Sequence, residues 1–277
     1  LVLGNALSPG GSIAASIIMG RALAPVEAGD VDAVEPGSVA KVITVAAALD
    51  RQMVTPSTGF TVPWRKQYYD DMLHDAWEHP DDWMTVEDIL VSSSNIGTIM
   101  IWERLGREVH WDYMRAFGLG ERTALDFPGE SPGILKHWRD LWGSERVTVS
   151  YGQGMASTSI QWAAAVNVVA NDGIYVAPKL VRATVGPTGE ISETPPSATH
   201  AVVTPTAARQ TREMLAESVC RGTARHARVD GFSIAGKTGT GLKAQPNGGY
   251  LDADGRRVYY ASFVGFFPAE QPEVTLL

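Results

Sequence analysis

The sequence predicts an α+β fold, and three observations point to it. An apolar, alanine-rich run from Val42 to Leu49 follows a Pro36-Gly37 break and has the composition of a helix. Further helical stretches continue through the middle of the chain. Towards the end, two β-prone segments, Phe232 to Gly236 and Val258 to Phe267, are separated by the turn signals Asn247-Gly248-Gly249 and Asp254-Gly255. They predict the arms of a hairpin with an elaborated loop. At 277 residues the chain can bury a large core as one domain or two, and it contains no internal repeat.

Taken in order, Leu1 to Leu7 is apolar but short, and no stretch reaches the roughly 18 apolar residues of a membrane span. Ser12 to Ala22 is the one candidate for an early strand. Pro36-Gly37 places Ser38 at or near the start of the first helix. Trp64 to Trp83 is aromatic and charged, with Tyr68-Tyr69-Asp70-Asp71 and His79-Pro80-Asp81-Asp82. It is expected as a solvated surface excursion, with a carboxylate metal site the lesser alternative. Thr85-Val86-Glu87-Asp88 is a helix start, with Thr85 as cap and acids in the first turn. Ile96 to Leu105 predicts a mostly apolar helix ending at Gly106. Gln161 to Ala170 has the Ala/Val spacing of a buried helix, and Thr184 to Ala201 is a polar hairpin or linker. An amphipathic helix starts near Thr204-Pro205, and Cys220 within it is expected as a buried, inert thiol. Glu273 to Leu277 has the character of a strand start.

Three short motifs carry the chemistry: Ser38-Val39-Ala40-Lys41, Ser93-Ser94-Asn95 and Lys237-Thr238-Gly239-Thr240. A serine hydroxyl is a weak nucleophile and needs a base beside it. In a helical Ser-x-x-Lys the two side chains share a face. At a helix start, free N–H groups and the positive dipole end favour a developing oxyanion. Lys41 acts as a base only if burial or a neighbouring cation, here Lys237, lowers its pKa. Ser93 and Asn95, on the link between two helices, offer a hydroxyl for proton relay and a carboxamide for a peptide group. Lys237, Thr238 and Thr240, on a strand, offer a cation and two hydroxyls for a carboxylate, and the strand edge can bind an extended peptide. Gly239 is expected to leave room for close approach of a ligand to the backbone. Each motif alone is commonly structural: an ordinary helix start, a polar connection, a surface strand.

In this order and at these separations the motifs resemble the transpeptidase domain of a class B, monofunctional penicillin-binding protein of the division or elongation type. The resemblance extends to Glu35-Pro36-Gly37 ahead of Ser38 and to Phe117-Gly118-Leu119-Gly120 with Asp126-Phe127-Pro128-Gly129-Glu130-Ser131. It continues through Ser150-Tyr151-Gly152-Gln153-Gly154 with Thr158 and Gln161, Ala170-Asn171-Asp172-Gly173, and Gly222-Thr223-Ala224. It covers about Glu35 to about Pro268. It implies a β-lactamase/transpeptidase-like fold, an antiparallel sheet flanked by helices plus a mostly helical subdomain. The sheet part would be about 1–37 and 201–277, and the helical part about 38–200.

The resemblance also implies roles. Ser38 would attack a D-alanyl-D-alanine carbonyl, Lys41 would take its proton, and Ser93 would pass a proton to the departing D-alanine. Asn95 would hold the substrate amide and help fix Lys41. Lys237 would supply positive potential, and Thr238 and Thr240 would contact the substrate or antibiotic carboxylate. The N–H groups of Ser38 and Thr240 would form the oxyanion hole. The substrate would be a peptidoglycan stem peptide, β-lactam antibiotics would acylate Ser38, and no cofactor or metal is implied. A SEDS-type glycosyltransferase and division proteins are the implied partners. The implied location is the extracytoplasmic face of a bacterial membrane, through an N-terminal anchor not visible in this chain. A pedestal domain, the first sheet strands, the last sheet strand and a terminal helix are likewise expected but not placed. The pattern departs at Ser94, where penicillin-binding proteins and class A β-lactamases can carry Asp.

Composition excludes other classes. Net charge is −8, from 23 basic and 31 acidic residues, and no basic cluster with interleaved aromatics suggests nucleic acid. The single cysteine excludes an intrachain disulfide, and the six histidines lack metal-ligand spacing. The rival readings are a β-lactamase, a D,D-carboxypeptidase, a β-lactam sensor and an idle scaffold. The class B signatures and the absence of a matching glutamate base argue against the first. The intact Ser38, Lys41, Asn95 and Lys237 set argues against the last.

Overall fold

The structure, a computed structural model, describes residues 2–7, 13–18, 33–123, 125, 129–242, 249–252 and 254–277. Strands β1 (Val2–Leu7) and β2 (Ile13–Ile18) pair antiparallel, with Val2 opposite Ile18. Of the candidate strand from Ser12 to Ala22, only Ile13–Ile18 lies within the described residues. Then comes a 3₁₀ turn, Gly37–Ala40, running into helix α1 (Lys41–Asp50), whose residues Lys41 to Leu49 are all buried. A helix buried on every side belongs in a core, and α1 is the central rod of this one.

The segment from Thr55 to Thr85 is not helical. Strands β3 (Gly59–Val62) and β6 (Asp82–Thr85) pair with each other, and β4 (Arg65–Tyr68) and β5 (Asp71–His74) form a hairpin between them. Within the part expected to be mostly helical, about 38–200, this segment is instead built of strands. Helix α2 (Val86–Ser92) starts at Thr85, whose hydroxyl accepts from the Asp88 N–H while the Asp88 carboxylate accepts from the Thr85 N–H. That capping box satisfies two otherwise orphan donors. Helix α3 (Asn95–Leu105) ends at Gly106, and α4 (Arg107–Ala116) and the short α5 (Glu145–Thr148) follow. Helix α6 (Ser159–Ala170) is buried at every residue but Ile160.

The polar stretch after α6 carries small hairpin strands: β7 (Ile174–Val176) with β10 (Thr199–Ala201), and β8 (Ala183–Val185) with β9 (Ile191–Glu193). Helix α7 (Pro205–Cys220) buries Ala207, Ala208, Thr211, Met214, Leu215, Ser218 and Val219, one stripe at helical spacing. Cys220 lies a hundred degrees round from Val219 and is exposed, which corrects the expectation of a buried thiol.

Strands β11 (Ala235–Leu242), β12 (Tyr259–Phe267) and β13 (Val274–Leu276) complete the main sheet. Its order is β11-β12-β13-β1-β2, antiparallel throughout. The early strands that sequence reasoning did not place are thus β1 and β2, bridged to the hairpin by β13. The first hairpin arm begins at Ala235, so Phe232 to Ile234 precede the strand and the Lys-Thr-Gly-Thr motif lies inside it. Turn residues Asn247 and Gly248 and signature residues Asp126 to Pro128 lie outside the described residues. Helix α6 packs on β12 and β13, α7 packs on β11, and α1 lies against α3 and α7. The Thr275 hydroxyl donates to Asn167 Oδ1 at 2.9 Å, pinning β13 to α6. Among the described residues no helix is long and apolar enough to cross a membrane.

Candidate active site

Ser38 is half-buried in the 3₁₀ turn, not in the α-helix itself. In a 3₁₀ turn residues three apart eclipse, so Ser38 and Lys41 fall on one side. Gly37 makes the turn possible. Its φ is +55°, its N–H donates to the Gly152 carbonyl at 3.2 Å, and a Cβ there would lie 2.3 Å from the Thr240 carbonyl oxygen. Only glycine fits that backbone and that spacing. The turn is therefore wedged between β11 and the Ser150–Gly152 segment.

Lys41 is fully buried. Its ammonium nitrogen donates to the Ser93 carbonyl at 2.5 Å, to Ser93 Oγ at 3.2 Å and to Asn95 Oδ1 at 2.8 Å. Ser93 caps α2 in the left-handed region, φ 65° and ψ 37°, and turns its carbonyl towards this amine. Such a conformation costs a non-glycine residue about 1–3 kcal/mol and survives where surrounding contacts over-determine it. Burial pushes the Lys41 pKa well below its ordinary value, the charge of Lys237 pushes it the same way, and Asp75 opposes them. Neutral Lys41 can still donate to the Ser93 carbonyl and Asn95 while its lone pair accepts from a hydroxyl.

Sequence reasoning missed Asp75, and with it the support of the second motif. The surface excursion is exposed over most of its length, but Asp75 is 1% exposed. One carboxylate oxygen accepts from the N–H groups of Asn95 at 2.5 Å and Ile96 at 2.9 Å, at the N-terminus of α3. The other accepts from the Ser94 hydroxyl at 2.6 Å and faces His79 Nε2 at 3.1 Å. Ser94 Oγ also accepts from the Gly97 N–H, capping α3, and the His74 carbonyl accepts from the Asn95 side chain at 3.0 Å. His79 Nδ1 faces the Pro80 carbonyl at 2.7 Å, so both ring nitrogens meet acceptors and only the imidazolium satisfies both. Burial works against that charge, but the Pro80 carbonyl and the carboxylates of Asp75 and Asp82 raise the His79 pKa overall. The available signal was Ser94 itself. A motif position that can hold a carboxylate holds a hydroxyl here, and the carboxylate comes from the preceding hairpin.

Lys237 is also fully buried, and burial lowers its pKa to about 7. Among the described residues its amine has long contacts, 3.4 Å to Thr223 Oγ1 and 3.4 Å to the Thr238 carbonyl. The Thr238 hydroxyl donates to Thr223 Oγ1 at 3.2 Å. Thr223 is thus a further polar group at this end of the site. The side of Gly239 on which a side chain would stand is turned to the chain's own atoms. A Cβ there would meet the Pro36 carbonyl and Ser262 Oγ, each at 2.5 Å, so the glycine admits the chain's own Ser38 turn against β11. Ser38, Ser93, Asn95, Thr223, Thr238 and Thr240 line one cleft of about 330 Å³. Lys41 and Lys237 are buried, and Tyr151, whose ring centre is 5.8 Å from the Lys41 nitrogen, also lines it. Among the described residues no group of three His, Cys, Asp or Glu is placed to hold a metal ion.

The arrangement joins a nucleophile turn, a buried amine with a lowered pKa, a hydroxyl and carboxamide beside that amine, and a cation under two threonines. Comparison with known proteins agrees with it. The family described as "Penicillin binding protein transpeptidase domain" matches residues 31–277. Penicillin-binding protein PbpB of Mycolicibacterium smegmatis is 36% identical over 249 residues, 87% of this chain and 38% of that protein. Stage V sporulation protein D of Bacillus subtilis is 32% identical over 252 residues, 87% of this chain and 37% of that protein. The chain spans well under half the length of these relatives. Among solved structures, penicillin-binding protein 3 of Mycobacterium tuberculosis complexed with aztreonam has a TM-score of 0.83 at 35% identity, covering 89% of this chain and 56% of that one. The transpeptidase domain of penicillin-binding protein 3 from Burkholderia pseudomallei has a TM-score of 0.78 at 32% identity, covering 91% and 72%. The β-lactamase/transpeptidase-like fold expected from the sequence is the fold of the chain.

Proposed function

The chain belongs to the penicillin-binding protein transpeptidase family, of the class B kind, and from that premise we propose that it is a serine D,D-transpeptidase. In this reading Ser38 Oγ attacks the carbonyl of a D-alanyl-D-alanine bond in a stem peptide, and its proton passes to neutral Lys41. The tetrahedral oxyanion is held by backbone N–H groups of Ser38 and Thr240. The C–N bond then breaks, a proton reaches the departing D-alanine nitrogen through Ser93, and an ester to Ser38 remains. An amine from a second stem peptide attacks that ester, gives up its proton and releases Ser38, so that one peptide bond is exchanged for another. Asn95 holds the substrate amide and Lys41. Lys237, Thr238, Thr240 and Thr223 receive the terminal carboxylate.

The observation that carries the reading is the environment of Lys41, fully buried, next to a second buried lysine and hydrogen-bonded to Ser93 and Asn95. It supplies the two means by which a lysine becomes a base near neutral pH. β-Lactams, which present a strained amide and a carboxylate, acylate Ser38 in the same reading. In the same reading the site of action is the extracytoplasmic face of a bacterial membrane, with an anchor, a SEDS-type glycosyltransferase and division proteins as the family's accompaniments. What supports that part is family membership.

The test is intact-protein mass after incubation with a penicillin, on wild type and Ser38→Ala. A stable one-drug adduct on wild type alone is expected. Return to the free mass with the drug consumed would mean a β-lactamase. No adduct on folded wild type would mean a scaffold.

A further inference from the structure

We propose that a second cavity, continuous with the catalytic cleft, is the subsite for the acceptor: a peptide segment carrying a primary amine and free carboxylates. The proposal rests on the transpeptidase reading above. The cavity is about 730 Å³, a size typical of ligand sites, and it shares Trp77, Ser92 and Thr223 with the cleft.

Its position decides its use. Thr223 touches both Lys237 and Thr238, so the cavity joins the cleft at the end that receives the leaving D-alanine carboxylate. Aminolysis of the acyl-enzyme retraces acylation with a different amine. The incoming nitrogen must occupy the place the departing nitrogen left, in line with the ester carbonyl. The rest of the acceptor then extends from that place past Thr223, where the second cavity begins.

Its lining suits such a chain. Trp83 is 68% exposed and Trp77 is 38% exposed, forming an aromatic ledge on which peptide planes and aliphatic stems can lie. Arg225 and His226 are exposed and make no side-chain hydrogen bond or ion pair among the described residues. Arg221 beside them is already paired with Glu87, Asp88 and Glu217. Arg225 and His226 thus line the cavity as uncommitted groups suited to carboxylates, and Asp82, also lining it, offers a carboxylate to an amine. A guanidinium without a partner is suited to bidentate capture of a carboxylate.

The experiment uses a donor ending in D-alanyl-D-alanine and two acceptors. The first, L-alanyl-γ-D-glutamyl-L-lysine, bears a side-chain amine and two carboxylates and is long enough to reach the cavity. The second, isotopically labelled D-alanine, fills only the leaving-group position, and its exchange into the donor is read by mass. Arg225→Glu and Trp83→Ala should each lower transfer to the tripeptide about tenfold, the scale of losing one anchoring contact. Penicillin acylation and transfer to D-alanine should stay within about twofold of wild type on that scale. Unchanged tripeptide transfer in both variants would overturn the proposal while leaving the transpeptidase reading intact, as would an equal fall with D-alanine.

Equilibrium binding of the tripeptide to the penicilloyl-Ser38 protein, read by tryptophan fluorescence, needs no turnover. If wild type transfers to no amine, the transpeptidase reading fails. Binding that weakens in Arg225→Glu would still support the cavity as a peptide site, and no binding to wild type would sink it.

Discussion

Asp75→Asn changes one charge behind the cleft and touches none of the proposed reacting atoms. The oxygen that accepts from the Asn95 and Ile96 N–H groups can remain. The other becomes an NH₂ facing the Ser94 hydroxyl and His79. Ser94 already accepts from the Gly97 N–H, so its own proton loses its acceptor, and the His79 imidazolium meets a donor. Hydrogen bonds to charged groups contribute about 1.5–3 kcal/mol each. Two are lost, and His79, whose side chain is 8% exposed, recovers part by losing its proton, which leaves a destabilisation of about 3 kcal/mol. At roughly 2–4 °C per kcal/mol, the melting temperature should fall by about 6–12 °C.

Asn95 and the Lys41 acceptors are set by the same carboxylate, and misplacement on the ångström scale can cost on the order of a hundredfold. Penicillin acylation should therefore slow by about 10- to 100-fold. The pH dependence has a definite sign. Asp75 favours the charged forms of both His79 and Lys41. For a group whose folded pKa is raised, the stability contribution is full below the unfolded value, near 6.5 for His79, and is lost as pH rises through the folded value. The wild-type advantage over Asp75→Asn should be larger at pH 6 than at pH 9. Thermal melts at both pH values and stopped-flow acylation are the assays. Melting within about 1 °C and acylation within about twofold of wild type would refute the assignment of Asp75 as the support of this motif.

Lys237→Met removes a buried ammonium whose folded pKa, about 7, lies below the ordinary 10.5. The unfolded chain then binds the proton more tightly, so wild-type stability should rise between about pH 7 and 10.5, by on the order of 5 kcal/mol from this group. The variant should lose that part of the rise, melt above wild type at pH 7 and react with penicillin far more slowly; identical pH–melting curves would refute it. Gly37→Ala places a β-carbon 2.3 Å from the Thr240 carbonyl at φ +55°. It should cost about 2–4 kcal/mol in urea unfolding and slow acylation, and an unchanged unfolding midpoint would show that β11 yields freely.

What the sequence made legible was local. The Thr85-to-Asp88 box, the stop at Gly106, the alanine- and valine-rich α1 and α6, and the hairpin behind Lys-Thr-Gly-Thr each depend on neighbours within a few residues. The three motifs were legible because their chemistry is written in residue types. The hidden parts depend on partners far away in the chain. Asp75 sits among exposed charged and aromatic residues, and its burial comes with contacts to Ser94 and the α3 N-terminus far along the chain, besides His79 nearby. Gly239 reads as an opening for ligand until Pro36 is brought against it. Strand β1 is short and interrupted by Gly4 and Asn5, and it is secured by pairing with β13 at the opposite end of the chain.

The two buried lysines make binding and activation one event in the proposed reaction. With Lys41 and Lys237 both fully buried, the state in which both are charged is penalised by burial and by their mutual repulsion, and the nearby carboxylate of Asp75 opposes this only at Lys41. A substrate carboxylate arriving at Thr238 and Thr240 favours the ammonium form of Lys237. A charged Lys237 in turn favours the neutral form of Lys41, because its charge is the second cause of the lowered Lys41 pKa. A proton is thereby held where the substrate needs a cation and excluded from where the serine needs a base. A peptide lacking a terminal carboxylate leaves Lys237 free to lose its proton near pH 7, which removes the charge that helps keep Lys41 neutral. The same coupling requires that in Lys237→Met the acid limb of the acylation profile move to higher pH, since Lys41 keeps its proton longer once its cationic neighbour is gone.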